Sequence, residues 1–279
     1  ESAPIIDAVQ TWIQERGPEL ETHPCTIVDL CSGKGFLSMY LSEILDPKRV
    51  QKLVLVDKQW AMCGAQPSQH HINWDHIYGE IPGPVACDDD DGEGKTEAMK
   101  PSYFDSWPIP LQTSKQDLKN AQNRREMKKR LFESAQGPVL LLAVHLCGTL
   151  SLKAVDLFND NKRISFFALK PCCLPPMLHV TRNEVFQIGT HSFPATDVCA
   201  SGTFRNSKWK GPPRSHLKAR FNSWSDHLYQ GVEEGDAGTT QKQKQEFEIQ
   251  TKGGFQNVFI FAERDSKSTE NTFPLINVE

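Results

Sequence analysis

The chain has 279 residues, a formal net charge of −4 at pH 7, 38% hydrophobic and 24% charged residues. That balance belongs to a globular protein with generous loops, long enough for one large domain or two small ones. No apolar run approaches the ~20 residues that span a bilayer, and the small negative charge excludes a wholly basic nucleic-acid binder while leaving room for a local basic face. The eight cysteines contain no CxxC pair. An adjacent Cys172-Cys173 suits a reducing compartment, cytoplasm or nucleus, better than a disulfide framework. The chain opens Glu1-Ser2-Ala3-Pro4 without Met or a visible signal peptide, the expected start of an excised or processed product.

Residues 4–16 have Ile5, Ile6, Val9, Trp12 and Ile13 at helical spacing. A strand is predicted at 26–30 and a helix at 35–45, joined by Cys31-Ser32-Gly33-Lys34-Gly35. A second strand at 52–57 ends on Asp57. Residues 62–106 break the rhythm and read as an insertion with an acidic loop, Asp88 to Asp91. That run lacks the spacing of a calcium loop, and His70, His71 and His76 read as surface residues. A short, Pro-flanked third strand is expected in 107–112. Ser114-Lys115-Gln116-Asp117 resembles a capping box opening a basic helix that runs to about Phe132.

Residues 138–144 form the cleanest buried parallel strand, ending at His145-Leu146-Cys147-Gly148. A helix at 150–159 and a fifth strand at 164–169 follow, ending at Lys170-Pro171-Cys172-Cys173. Residues 178–188 read as a helix or short strand, 189–213 as a polar, loop-rich segment, and 215–230 as a helix with Leu217, Phe221, Trp224 and Leu228 on one face. Residues 233–245 read as a polar linker. Two final strands, 246–250 and 255–262, make an antiparallel hairpin. The pattern predicts a single Rossmann-like α/β domain over 1–264, with a seven-stranded, mostly parallel sheet and helices on both faces; residues 265–279 read as a disordered tail.

The strand, glycine loop and helix of 27–38 mark a ligand site. Gly33 and Gly35 let the backbone approach a ligand closely, and the following helix aims free N–H groups at it. A dinucleotide loop wants a third glycine where Ser38 stands, and a P-loop wants Gly-Lys-Ser/Thr, which Gly33-Lys34-Gly35 does not supply. Asp57, at the end of the second strand, is placed to accept both hydroxyl hydrogen bonds of an adenosine ribose.

The Asp29-Leu30-Cys31-Ser32-Gly33-Lys34-Gly35 loop resembles the first motif of class I S-adenosylmethionine (SAM) methyltransferases. With His-Leu-Cys-Gly after the fourth strand and Lys-Pro-Cys-Cys-Leu-Pro after the fifth, it is similar to one methyltransferase-domain family. That family includes the eukaryotic tRNA acceptor-stem 2′-O-methyltransferases and the methyltransferase-like half of the glutathione-S-transferase C-terminal-domain-containing protein. The match covers about 25–58 and 138–176; the zinc-finger segments and later Cys-His-rich stretch of the tRNA enzymes are missing here. The resemblance implies SAM as cofactor, held by Asp29, Cys31, Ser32, Gly33, Gly35, Phe36, Asp57, Lys58, Asp117 and His145. It also implies RNA, tRNA first, as substrate, with the ribose 2′-oxygen ahead of a base atom. A protein or small-molecule methyltransferase and a non-catalytic binding module stay as alternatives.

His145, Cys147, Pro171 and Cys172 are expected to line the methyl-transfer site. Four roles stay open. His145 can deprotonate an acceptor hydroxyl or amine. Cys147 with Cys172 or Cys173 can act as covalent thiols on a pyrimidine. One His with three Cys also suits zinc, which sequence spacing does not test, and no metal ligand is assigned. The residues can also simply line the pocket. Arg205, Lys208, Trp209, Lys210 and Arg214 form a basic, aromatic-interleaved segment suited to phosphate contact and base stacking.

Overall fold

Apolar runs with β-branched residues become strands covered on both faces, as parallel sheets require. In a computed structural model, which describes residues 2–60, 107–200, 203–205, 208–235, 240–247 and 256–264, five strands run parallel. They are Cys25–Leu30 (β1), Val50–Val56 (β2), Leu111–Ser114 (β3), Val139–Cys147 (β4) and Ile164–Cys173 (β5). Val185–Ile188 (β6) and His191–Pro194 (β7) form one small hairpin, and Thr203–Arg205 (β8) and Lys208–Lys210 (β9) another. Thr240–Glu246 (β10) and Val258–Arg264 (β11) complete the main sheet, whose order is β10-β11-β5-β4-β1-β2-β3. β11 is antiparallel to both β5 and β10.

Helices cover the sheet: Ala3–Glu15 (α1), Gly17–Thr22 (α2), Phe36–Ile44 (α3), Ala121–Met127 (α4), Leu150–Asp160 (α5), Leu178–Thr181 (α6) and Arg214–Gly231 (α7). The two faces follow from strand alternation. Ile27, Leu53, Leu140 and Phe166 meet Val9 and Trp12 of α1 and Leu41 of α3. Val28, Val54, Leu141 and Phe167 meet Phe158 of α5 and Trp224 of α7. Each large apolar side chain buried this way contributes about 1.5–3 kcal/mol. Among the described residues no helix is long and apolar enough to cross a membrane.

Four local expectations are corrected. Ser114 does not open a helix; it ends β3, and the helix starts at Ala121, where the Asn120 side chain accepts from the Gln122 and Asn123 N–H groups. Asparagine is as good a cap as serine, and pairing of Ser114 with Val56 keeps it in the sheet. The helix then passes into a single π-turn at Lys128–Phe132. The segment 189–213 is not loop-like throughout, because β7, β8 and β9 lie within it; Phe186 and Phe193 pack on Trp224 and hold the first hairpin. The second half of the expected linker at 233–245 belongs to the sheet edge: β10 reads Thr-Gln-Lys-Gln-Lys-Gln-Glu, and its ladder to β11 pairs Thr240 with Arg264 and Glu246 with Val258. Edge strands carry charge for solubility, which hid this one from a hydrophobic reading. β4 and β5 each extend three to four residues past their predicted ends, through Cys147 and Cys173. The predicted insertion at 62–106, the tail at 265–279 and residues 248–250 lie outside the described residues.

Candidate active site

β1 is the middle one of the five parallel strands, with β2 on one side and β4 on the other. The chain reverses its direction of travel across the sheet there, and a crevice opens beyond the carboxyl ends of the strands. The loop after β1 forms one wall. Cys31, Gly33 and Gly35 all have left-handed backbone, with φ of 54°, 57° and 78°. The Ser32 N–H donates to the Val56 carbonyl at 3.1 Å and the Gly35 N–H to the Ser32 carbonyl at 2.9 Å, so the turn is tied to β2 and to itself. Trp60, fully buried, donates its indole N–H to Ser32 Oγ at 3.2 Å. A Cβ added at Gly33 would meet nothing within 4 Å, so that side of the loop is open space.

Asp57 faces this loop. Its Oδ2 accepts from the Gly33 N–H at 3.3 Å and its Oδ1 from the Gln59 N–H at 2.9 Å. Each carboxylate oxygen keeps a further lone pair for a ligand hydroxyl. Asp117 belongs to the same rim: the Gln116 N–H donates to the Asp57 carbonyl at 3.3 Å, and Asp117 Oδ1 accepts from the Lys119 N–H at 2.9 Å. Lys58 and Phe36 are exposed, Phe36 at 62%.

Asp29 lies at the carboxyl end of β1, next to this loop. It is 2% exposed, inside β1, and accepts from Ser38 Oγ at 2.9 Å. Burial pushes its carboxyl up from 3.8 to about 7, against the Ser38 hydrogen bond and with help from the charge of Asp57. Asp29 therefore fastens α3 to β1 beneath the loop. The Cys31 thiol is pushed up to about 12, first by burial and then by the charges of Asp57, Asp29, Cys147 and Asp117.

The opposite wall comes from β4 and β5. Asp29 pairs with Leu142, and β4 continues three more residues to His145, which is exposed and has a φ of 58°. The β4–β5 register shifts on both sides of Leu146, setting Leu146 opposite the buried Pro171 and Cys147 opposite Cys173. The sulfur of Cys147 lies 3.1 Å from that of Cys172 and 3.5 Å from that of Cys173, and those two are 3.5 Å apart. The neighbouring thiols, then His145, hold Cys147 well below the usual thiol range, while Cys172 and Cys173 are pushed up.

The structure gathers Cys31, Ser32, Gly33, Gly35, Asp57 and Asp117 on one wall and His145, Cys147, Pro171 and Cys172 at the strand ends beside it. Cys173, already a candidate thiol beside Cys172, joins them. Two contributors were missed. Trp60 gave no signal, lying next to the irregular stretch. Lys170, 2% exposed with its Nζ 5.9 Å from the centre of the Phe259 ring, reads in sequence as an ordinary surface lysine. For the basic segment, the backbone pairs Phe204 with Trp209 and Arg205 with Lys208 across β8 and β9.

Five parallel strands and a terminal antiparallel pair in this order make the Rossmann-like α/β fold of class I methyltransferases. No family model and no curated protein matches the chain. Among solved structures it is similar to a provisionally named rRNA-methylase from Clostridium thermocellum, with a TM-score of 0.39 and 9% identity over 91% of this chain and 96% of that one. It is also similar to the methyltransferase domain of bacterial CtHen1, with a TM-score of 0.39 and 10% identity over 93% of this chain and 97% of that one. The fold assignment stands on the strand order, and these likenesses add nothing to it.

Proposed function

We propose that the chain is a SAM-dependent methyltransferase acting on RNA, tRNA first, with the ribose 2′-oxygen ahead of a base atom. One observation carries the cofactor reading: the Asp57 carboxylate, at the carboxyl end of β2, faces the Gly33 N–H at 3.3 Å across a loop with open space at Gly33. A carboxylate so placed accepts from ribose hydroxyls, and a glycine loop without side-chain bulk admits the ligand beside it. Cys31, Ser32, Gly33, Gly35 and Phe36 shape the loop side, with Lys58 and Asp117 on the rim. Asp29 supports the loop from beneath through Ser38. SAM, when bound, supplies an electrophilic methyl group on a sulfonium.

Methyl transfer needs chiefly an acceptor held in line with that group. His145, exposed at the end of β4, takes the acceptor proton; a left-handed backbone turns it out of the strand's regular alternation. Cys147, Pro171 and Cys172 line the acceptor side. The RNA reading is supported by the motif resemblance and by Arg205, Lys208, Trp209, Lys210 and Arg214, which cluster in and just after the β8–β9 hairpin.

Isothermal titration with SAM tests the cofactor, and absence of both heat and thermal shift at saturating SAM leaves only a scaffold. Radiolabelled SAM incubated with tRNA, rRNA and protein fractions tests the substrate. Label in tRNA is the expected outcome, and label confined to protein removes the RNA assignment.

A further inference from the structure

We propose that Cys147, Cys172 and Cys173 form a tripod that binds a thiophilic divalent ion of the zinc class. The inference stands on the sulfur geometry and does not depend on methyl transfer.

Three sulfurs with separations of 3.1, 3.5 and 3.5 Å make a nearly equilateral triangle. Successive side chains of a regular strand point to opposite faces, so Cys172 and Cys173 should diverge at the end of β5. They converge instead, and the backbone around them is bent to allow it. β4 slips its register on both sides of Leu146, and Cys147 is bracketed by left-handed His145 and Gly148, with φ of 58° and 53°. The Gly148 N–H closes the turn by donating to the Cys173 carbonyl at 3.2 Å. Non-glycine residues in that conformation are strained and persist where surrounding structure enforces them.

The triangle fits an ion better than it fits a disulfide. A disulfide draws two sulfurs to about 2.05 Å and leaves the third without purpose. Zinc holds thiolates at about 2.3 Å in tetrahedral geometry, which sets the sulfurs about 3.8 Å apart. Contraction to a disulfide is the larger move for every pair. Charge agrees as well. Three thiolates carry one more negative charge than a divalent ion neutralises, and buried Lys170 stands on the same strand, two residues before Cys172. Cys147 and Cys173 are exposed, which leaves room for a fourth, non-protein ligand, the arrangement of an open rather than a closed zinc site.

The test is cobalt titration of the full chain after reduction and chelation. The expected result is an intense thiolate-to-cobalt charge-transfer band with the visible bands of tetrahedral cobalt, saturating at one ion per chain and erased by zinc. Cys173→Ser and Cys147→Ser should each abolish the band while circular dichroism and thermal melting stay those of a folded chain. If either variant fails to fold, alkylation protection in the unmodified chain decides: zinc should shield these three cysteines from iodoacetamide together. A band that survives Cys173→Ser places the ion elsewhere and overturns the site. So does a mass two hydrogens light that maps to these cysteines, with no cobalt band after reduction. SAM titration of the same samples is read separately, so loss of SAM binding with the cobalt band intact counts against the cofactor reading alone.

Discussion

Ser38 Oγ donates to Asp29 Oδ2 at 2.9 Å, joining the first turn of α3 to the interior of β1. Asp29 is buried and its carboxyl is raised from 3.8 to about 7. The native chain therefore binds more protons than the unfolded chain between those two values. Stability from this group is fully present below 3.8 and is lost as pH rises through about 7. Asp29→Asn should remove that slope, leaving wild type less stable than the variant on the alkaline side, a tenfold change in proton affinity being worth about 1.4 kcal/mol. Ser38→Ala should destabilise by about 1.5–3 kcal/mol where Asp29 is ionised and by less in acid. Urea unfolding at acidic, neutral and alkaline pH reads both; parallel curves for wild type and Asp29→Asn would refute the assignment.

Asp57 is half-exposed, and the proposed reading gives its carboxylate to the cofactor ribose. Asp57→Asn should weaken SAM binding by about 10–100-fold, the worth of hydrogen bonds to a charged acceptor, while shifting stability by less than about 1 kcal/mol. Gly33→Val should weaken binding as well, and it should also destabilise by about 1–2 kcal/mol because its φ is 57°. Calorimetric titration beside thermal melting separates the two effects. Unchanged affinity in Asp57→Asn would refute the cofactor site.

His145→Gln should lower kcat by about 100-fold or more if its ring takes the acceptor proton, with SAM affinity kept within about threefold. The acid limb of the wild-type pH–rate profile should vanish in the variant. His145→Gly should raise stability by relieving the left-handed backbone, by about 1 kcal/mol. Methylation assays across pH and melting curves check these outcomes.

Arg264 has no part in the site and a large part in the fold. Its guanidinium donates to the Phe158, Asn161 and Ile164 carbonyls at 2.6–3.0 Å and lies 3.8 Å over the Phe158 ring. It closes the end of α5 against the start of β5. Arg264→Leu removes three hydrogen bonds from a charged donor, although the Phe158 and Asn161 carbonyls keep the Asn161 and Ile164 N–H groups, and should cost about 3 kcal/mol, with no change in SAM affinity for the folded fraction. Chemical denaturation gives the first number and titration the second.

The parallel strands were legible because burial on both faces forces near-continuous apolar runs such as Val139 to Val144. The glycine loop and Asp57 were legible for a related reason: left-handed turns demand glycine, and a carboxylate ending an apolar strand stands out locally. Edge strand β10 escaped because an edge needs polar residues, so its hydrogen bonds to β11 are decided by the partner and not by its own pattern. Asp29 was legible as the end of the first strand, but its tie to α3 was not, because sequence does not show which hydroxyl is brought beneath it.

Cys147 lies 25 residues before Cys172, and no spacing rule connects them. Their sulfurs meet because β4 and β5 are adjacent and one slips its register against the other. Chain composition and local periodicity determined the elements and the loop that opens the crevice. Which side chains share that crevice was decided only by strand order and register, since side chains far apart in sequence meet only where packed strands carry them.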